Sequence, residues 1–428
     1  MSFDRYGDLM RDQEPDHPAG GERRLTTREA AELLGVKPET VYAYVSRGQL
    51  GSRRTPGGRG STFDPDQVRD LARRNRRDSG AAAASGHELA VRTRLTLIES
   101  DRFYYRGVDA VELAARHTYE EVAEWLWTGR LRPGITFSAP ESSVAVARRA
   151  VDALPEHAGP TDRLRVAAVA AAVADPLRFD LSEEAVLGTA RVLIPTLVAA
   201  LPPVLRDGTD RDPIARRLWT RLSGRPADEP TLRALDTALS LLVDHDLAAS
   251  TLAVRVAASA RAHAYAALSA GLGVIEGPLH GAAGGLAHRM LLEVLEVGSA
   301  APVVAEELRA GRRIPGLGHR LYPGEDPRAR ALFALLEDIP RAAPALAAAR
   351  DIQATAARHA PLHANVDLAL AVLTASSGMP TTAAETIFAV ARTAGWIAHA
   401  LEEYGERPLR MRPSGLYSGP RPPRPLPQ

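Results

Sequence analysis

There is no cysteine among the 428 residues of this chain. That excludes disulfides, thiolate nucleophiles and cysteine-held zinc or iron–sulfur sites, and it fits a reducing compartment. Lysine is nearly missing too: Lys37 is the single lysine among 53 basic residues. Schiff-base and pyridoxal chemistry is thereby all but excluded, and anions must be held by planar guanidinium groups. Aromatic residues make up only 5% of a chain that is 45% hydrophobic. A core built from alanine, leucine and valine favours packed helices. No run of 18 apolar residues and no signal-like apolar stretch behind a basic start occurs, so a soluble, cytoplasmic protein without membrane contact is expected. The net charge of +1 gives the molecule as a whole no pull on nucleic acid.

Length predicts two or three domains. Residues 1–21 are polar, carry Pro15 and Pro18, and read as a disordered tail. From Leu25 the stretch LTTREAAELLGVKPETVYAYVSRGQL predicts two short helices. Thr26 or Thr27 caps the first, Gly35 ends it, Pro38 opens the second and Gly48 stops it. The segment GSRRTPGGRGSTF then reads as a β-hairpin or wing. Between Arg23 and Arg77 there are 13 basic and 6 acidic residues, a local excess of 13 − 6 = +7.

Helix, tight turn, helix and basic wing over residues 22–77 resemble the helix-turn-helix of the MerR/excisionase type. The resemblance implies contact with double-stranded DNA through Thr40, Tyr42 and Tyr44 on the second helix and Arg53, Arg54 and Arg59 on the wing, with the arginines on phosphates. A helical adaptor with a solvated basic face is the plainer alternative. Residues 78–90 form a small-residue linker, 91–419 a long helical domain, and 420–428 a proline-rich tail.

Two of the 12 histidines stand apart because glycines surround them: His280 in GPLHG and His319 in PGLGHR. Without flanking Cβ atoms the backbone there can approach a ligand closely. Asp367 opens the apolar run VDLALAVLTA, where loss of water makes a carboxylate a better base. Singly, each feature is as well explained by a turn or a helix cap. Together with Arg328, Arg392 and Arg412 they can abstract a proton, donate two hydrogen bonds and hold a polyanion.

The strings RFYYRGVDAVELA (102–114), HDLAAST (245–251), GPLHGAA (277–283), PGLGHRLYPGEDPRA (315–329), NVD (365–367), and RTAGWIAHALEEY with its downstream RPSGLYSG resemble citrate synthases, in that family's order. The resemblance implies an all-α fold with a large domain (about 91–275 and 380–419) and a small one (about 276–379), the active site in the cleft between them. It implies Asp367 as the base on acetyl-CoA, His280 as donor to the thioester oxygen and His319 as donor to the keto oxygen of oxaloacetate. His245, Arg328 and Arg392 would hold oxaloacetate, Arg412 would come from the second subunit of a homodimer, and Pro315, Gly316, Leu317 and Gly318 would receive CoA. No metal and no permanently bound cofactor is implied; acetyl-CoA or propionyl-CoA is a co-substrate. The family commonly has asparagine where this chain has Gly284, often asparagine at Ala248, and usually proline at Ala364. A slightly enlarged pocket would suit propionyl-CoA and give 2-methylcitrate, and one methylene discriminates too weakly for the sequence to decide. The alternative function is a transcriptional regulator that keeps the fold as a dimeric sensor of acyl-CoA or dicarboxylate.

Overall fold

Thr26 sets the start of the first helix. Its backbone N–H and hydroxyl donate to a Glu29 carboxylate oxygen at 2.8 and 2.9 Å, and its Oγ1 accepts from the Glu29 N–H at 3.3 Å. This is the reciprocal cap that satisfies the free donors of a helix N-terminus. Helix α1 spans Thr27–Leu34 and α2 spans Pro38–Ser46. Strands β1 (Leu25–Thr26), β2 (Ser52–Arg54) and β3 (Ser61–Phe63) form an antiparallel sheet in the order β1-β3-β2, so the expected wing is the β2–β3 hairpin. Ala30, Ala31, Leu34, Val41, Leu50, Phe63, Val68 and Leu71 make a small core of their own.

The structure is a computed structural model that describes residues 24–34, 36, 38–46, 50–54, 61–69, 71, 91–99, 101–277, 280–412 and 418–419. The expected N-terminal tail, the 78–90 linker, the 420–428 tail, Gly35, Gly48 and Arg59 lie outside the described residues. The chain divides into two compact units, one up to Arg92 and one from Thr93 onward.

The second unit is helical around one continuous core. Six helices frame the site: α3 (Ala249–Ser259), α4 (Ala264–Ile275), α5 (Ala283–Val297), α6 (Pro327–Glu337), α7 (Val366–Ser376) and α8 (Ala383–Tyr404). α3 packs on α4, both lie against α8, and α7 lies against α5, α6 and α8. Alanine-rich faces let these helices approach closely and put loops of distant sequence together at their ends.

One segment departs from the all-helical expectation. Residues 96–109 form a meander of β4 (Thr96–Glu99), β5 (Arg102–Tyr105) and β6 (Val108–Asp109), with Thr96 opposite Tyr105 and Tyr105 opposite Val108. Its β-branched and aromatic residues suit a pleated surface. Arg106 (φ +50°) and Gly107 (φ +82°) supply the two left-handed positions of a tight hairpin turn.

Candidate active site

His280 is presented by a turn that only glycine permits. The Gly281 N–H donates to Ile275 O at 2.9 Å, and a Cβ on Gly281 would lie 2.1 Å from that same oxygen. The imidazole Nε2 sits 2.7 Å from Oγ of Ser250, which is buried in the first turn of α3. Burial, and then the Arg392 charge, pushes the His280 pKa down, so the ring is neutral. Phe388 of α8 meets it edge-on at 6.0 Å.

His319 has an assignable tautomer. Its Nδ1 accepts from the Leu321 N–H at 3.1 Å, which leaves the ring proton on Nε2. Burial and the Arg328 charge hold its pKa down at about 4. Nε2 lies 3.3 Å from Nη2 of Arg328. Neither nitrogen can accept, so two donors stand side by side with the geometry to share an oxygen-rich anion between them.

Arg328 is held from behind. Asp326, buried, accepts from Arg328 Nε at 3.0 Å, Arg328 Nη2 at 2.8 Å, the Arg328 N–H at 3.0 Å and the Val366 N–H at 3.0 Å. Burial alone would raise its carboxyl, but the Arg328 guanidinium outweighs this and keeps it below the usual carboxylate range. A single carboxylate thus ties the start of α6 to the start of α7. Asn365 caps α7 by accepting the Asp367 N–H at 3.0 Å, and its Nδ2 donates to Gly318 O at 2.9 Å.

Asp367 stands one residue inside α7. Burial raises its carboxyl to about 6, with the Arg328 charge opposing and Asp326 adding to the rise. A Cβ on Gly284 would lie 3.7 Å from Asp367 Oδ1 but only 2.8 Å from Ala384 Cβ. The space that an asparagine side chain would need is thus already filled by α8, so Gly284 opens no extra room beside the carboxylate.

His245 faces the same cluster. Its Nε2 is 2.8 Å from the Tyr322 hydroxyl, and its ring lies 5.2 Å from that of His319. Burial, then Arg328, Arg392 and His319, drives its pKa well below the ordinary value. Behind it Asp244 is fully buried, accepting from Thr96 Oγ1 at 2.5 Å and lying 3.1 Å from His399 Nε2. Arg392 is buried, donates Nε to Leu242 O at 2.9 Å and stacks over Phe388 at 4.5 Å.

The stretch Pro315–Gly318 is fastened to the chain before α7. Leu317 bridges Ala364, Gly318 N–H donates to His363 O at 2.8 Å, and Asn365 N–H donates to Gly316 O at 2.9 Å. Arg412 is exposed, and among the described residues it has no hydrogen bond or ion pair to the site side chains. So one chain brings together His245, His280, His319, Arg328, Asp367 and Arg392, and Arg412 is not among them. Ser250, Tyr322, Asp326 and Asn365 join the site without having been given a role in the sequence analysis, although each lies within a string that carries the resemblance. Among the described residues no group of three or more histidines and carboxylates could hold a metal ion.

In the first unit, Tyr42 of α2 is exposed, with its hydroxyl 3.3 Å from Thr27 Oγ1, whereas Tyr44 packs against the small core. Thr40 is half-buried, Arg53 is exposed on β2, and Arg54 closes that strand.

The family described as citrate synthase, C-terminal domain, matches residues 86–414, and a helix-turn-helix domain matches 24–76. The citrate synthase of Haloferax volcanii is 31% identical over 359 residues, which cover 77% of this chain and 94% of that protein. The 2-methylcitrate synthase 2 of Corynebacterium glutamicum is 28% identical over 356 residues, covering 75% and 90%. The crystal structure of citrate synthase from Pyrobaculum aerophilum matches with a TM-score of 0.67 at 25% identity, covering 88% of this chain and 97% of that one.

Proposed function

This chain belongs to the citrate synthase family, and from that premise we propose that it condenses an acyl-CoA with oxaloacetate, releasing CoA and a tricarboxylate. The observation that carries the reading is the convergence of His280, held at Nε2 by Ser250, His319, with its Nε2 beside Arg328, and Asp367, at the start of α7 beside Gly284. Asp367 takes a proton from the acyl α-carbon while His280 donates its N–H to the thioester oxygen. The enol carbon attacks the keto carbon of oxaloacetate, whose oxygen takes the Nε2 proton of His319. Water then cleaves the thioester. A thioester α-carbon is a weaker acid than a carboxyl by roughly 15 units, or about 20 kcal/mol, so the base cannot act without the donor that stabilises the forming oxyanion.

His245, Arg328 and Arg392 hold oxaloacetate, and 315–318 receives CoA. Residues of about 276–379 act as a small domain closing over the large one. A second copy supplies Arg412. Val169, Val173, Leu177 and Phe179 give the chain an exposed apolar face that suits such a homodimer. Relatives that make citrate and 2-methylcitrate both match, so acetyl-CoA and propionyl-CoA are both candidate donors.

Because Asp367 acts as a base, kcat/KM should fall about tenfold per unit below pH 6 as its carboxylate takes up a proton. No second break is expected near 6.5, where an unperturbed histidine titrates, because His245, His280 and His319 all titrate lower. An acid limb steeper than about tenfold per unit just below pH 6, the mark of a histidine titrating together with Asp367, would contradict these assignments.

The helix-turn-helix unit binds double-stranded DNA in this reading, with Arg53 on backbone phosphates. The full-length protein should shift duplex DNA from its own promoter region. Binding should weaken by about 0.9 log units per phosphate contact for each tenfold rise in salt. Absence of any salt-dependent shift would leave the unit as a protein-contact module. A purely regulatory chain has no use for Asp367, and its retention beside His280 and His319 favours catalysis.

A further inference from the structure

We infer that Tyr322 is a positioning residue for oxaloacetate, its phenol donating to Nε2 of His245 and thereby fixing that imidazole as the Nδ1–H tautomer. The inference rests on the condensation reading for the identity of the ligand.

The His245 ring is buried beside His319 and the guanidinium groups of Arg328 and Arg392, and the lack of water, then the two arginine charges, keep it neutral. A neutral imidazole carries one N–H and one lone pair, and its neighbours decide which nitrogen holds which. The only hydrogen bond to the ring among the described residues is that between Nε2 and the Tyr322 hydroxyl, at 2.8 Å. Two arrangements satisfy the distance. If Nε2–H donated to the phenol, the phenol hydrogen would need another acceptor, and none is present among the described residues. Nδ1 would also then present a lone pair to a dianionic substrate. If the phenol donates to Nε2, the pair is satisfied and His245 offers Nδ1–H as a donor. Burial raises the Tyr322 hydroxyl pKa above its ordinary value, so it keeps its proton.

The tyrosine ring is itself fixed. Its side chain is almost fully buried, its face lies 4.9 Å from the His319 ring at a 31° tilt, and the Arg328 guanidinium sits 5.7 Å from its centroid. The residue therefore touches three of the groups assigned to oxaloacetate: it orders His245 through its hydroxyl and packs on His319 and Arg328 with its ring. The two histidines end with different tautomers, Nδ1–H on His245 and Nε2–H on His319, each set by a neighbouring donor.

The test is oxaloacetate binding to the full-length protein by calorimetry, in wild type, Tyr322→Phe, His245→Ala and the double variant. Tyr322→Phe removes one oxygen and keeps the ring. Its affinity should fall about tenfold, the scale of one buried hydrogen bond, and in the His245→Ala background it should cause no further loss. The melting temperature should fall only by the few degrees that one buried hydrogen bond is worth, and the absence of a further affinity loss in the His245→Ala background separates this effect from a packing defect. Wild-type affinity in Tyr322→Phe, or an equal loss in both backgrounds, would overturn the role. Should Tyr322→Phe not fold, the ring nitrogen shifts of His245 in 15N-histidine-labelled wild type decide instead, located by the signal lost in His245→Gln. Protonated Nδ1 supports the inference and protonated Nε2 refutes it. A wild-type protein that binds no oxaloacetate would defeat the condensation reading instead, a distinct result.

Discussion

Replacing Asp367 with alanine should lower turnover by about 10³-fold or more while leaving oxaloacetate binding nearly intact. A positioned general base commonly contributes about 10²–10⁴-fold, and no other carboxylate is placed to take over, because Asp326 is engaged by Arg328 and the Val366 N–H. Stability should move the opposite way to activity. Burial raises the Asp367 carboxyl to about 6, so folding disfavours its ionised form. That penalty is fully present above the folded pKa and vanishes below the unfolded value of about 3.9. Asp367→Ala should therefore melt at or above the wild-type temperature at pH 7–8, and the difference should close toward pH 4. Loss of activity accompanied by a lower melting temperature at pH 8 would mark Asp367 as a structural cap rather than a base.

Asp326→Ala should have the largest effect on stability. The Arg328–Asp326 pair has side chains only 3% and 1% exposed, so the variant leaves a guanidinium in the core without its counter-ion. Breaking a buried pair from one side costs about 3–5 kcal/mol, and the Val366 N–H loses its acceptor as well. The sign with pH again follows from the shift. The Asp326 carboxyl is held below its ordinary value, so its contribution is present above the unfolded pKa and lost as pH falls through the folded one. Chemical denaturation at pH 7 should show the full loss, and at low pH the two proteins should converge. Equal stability at pH 7 would mean that the pair does not hold the α6 and α7 starts together.

The residues legible in the sequence were those whose neighbours were unusual. Glycines close by singled out His280 (Gly277 and Gly281) and His319 (Gly316 and Gly318), and the Cβ clash at Gly281 shows the physical reason for one of them. Asp367 was legible as a carboxylate leading an apolar helix. Tyr322, Ser250 and Asp326 were not, because each acts on a partner brought to it by folding: Ser250 lies 30 residues from His280, and Tyr322 lies 77 from His245. Side chains with ordinary neighbours in sequence give no such signal. The 96–109 meander was hidden for a related reason, since strands of two to four residues are too short for alternation to stand out. The Gly284 substitution shows the limit of reading one position alone. A smaller residue suggests more space, yet Ala384 of α8 occupies it.

The condensation itself is tested most directly by release of free CoA thiol from the purified full-length protein with oxaloacetate. Acetyl-CoA and propionyl-CoA would be compared, with Asp367→Ala as the blank. A chain without cysteine adds no thiol of its own. The expected result is oxaloacetate-dependent release that disappears in the variant, with the faster acyl donor identifying the product as citrate or 2-methylcitrate. A folded protein that releases no thiol from either donor, or one whose release survives Asp367→Ala, would contradict the account.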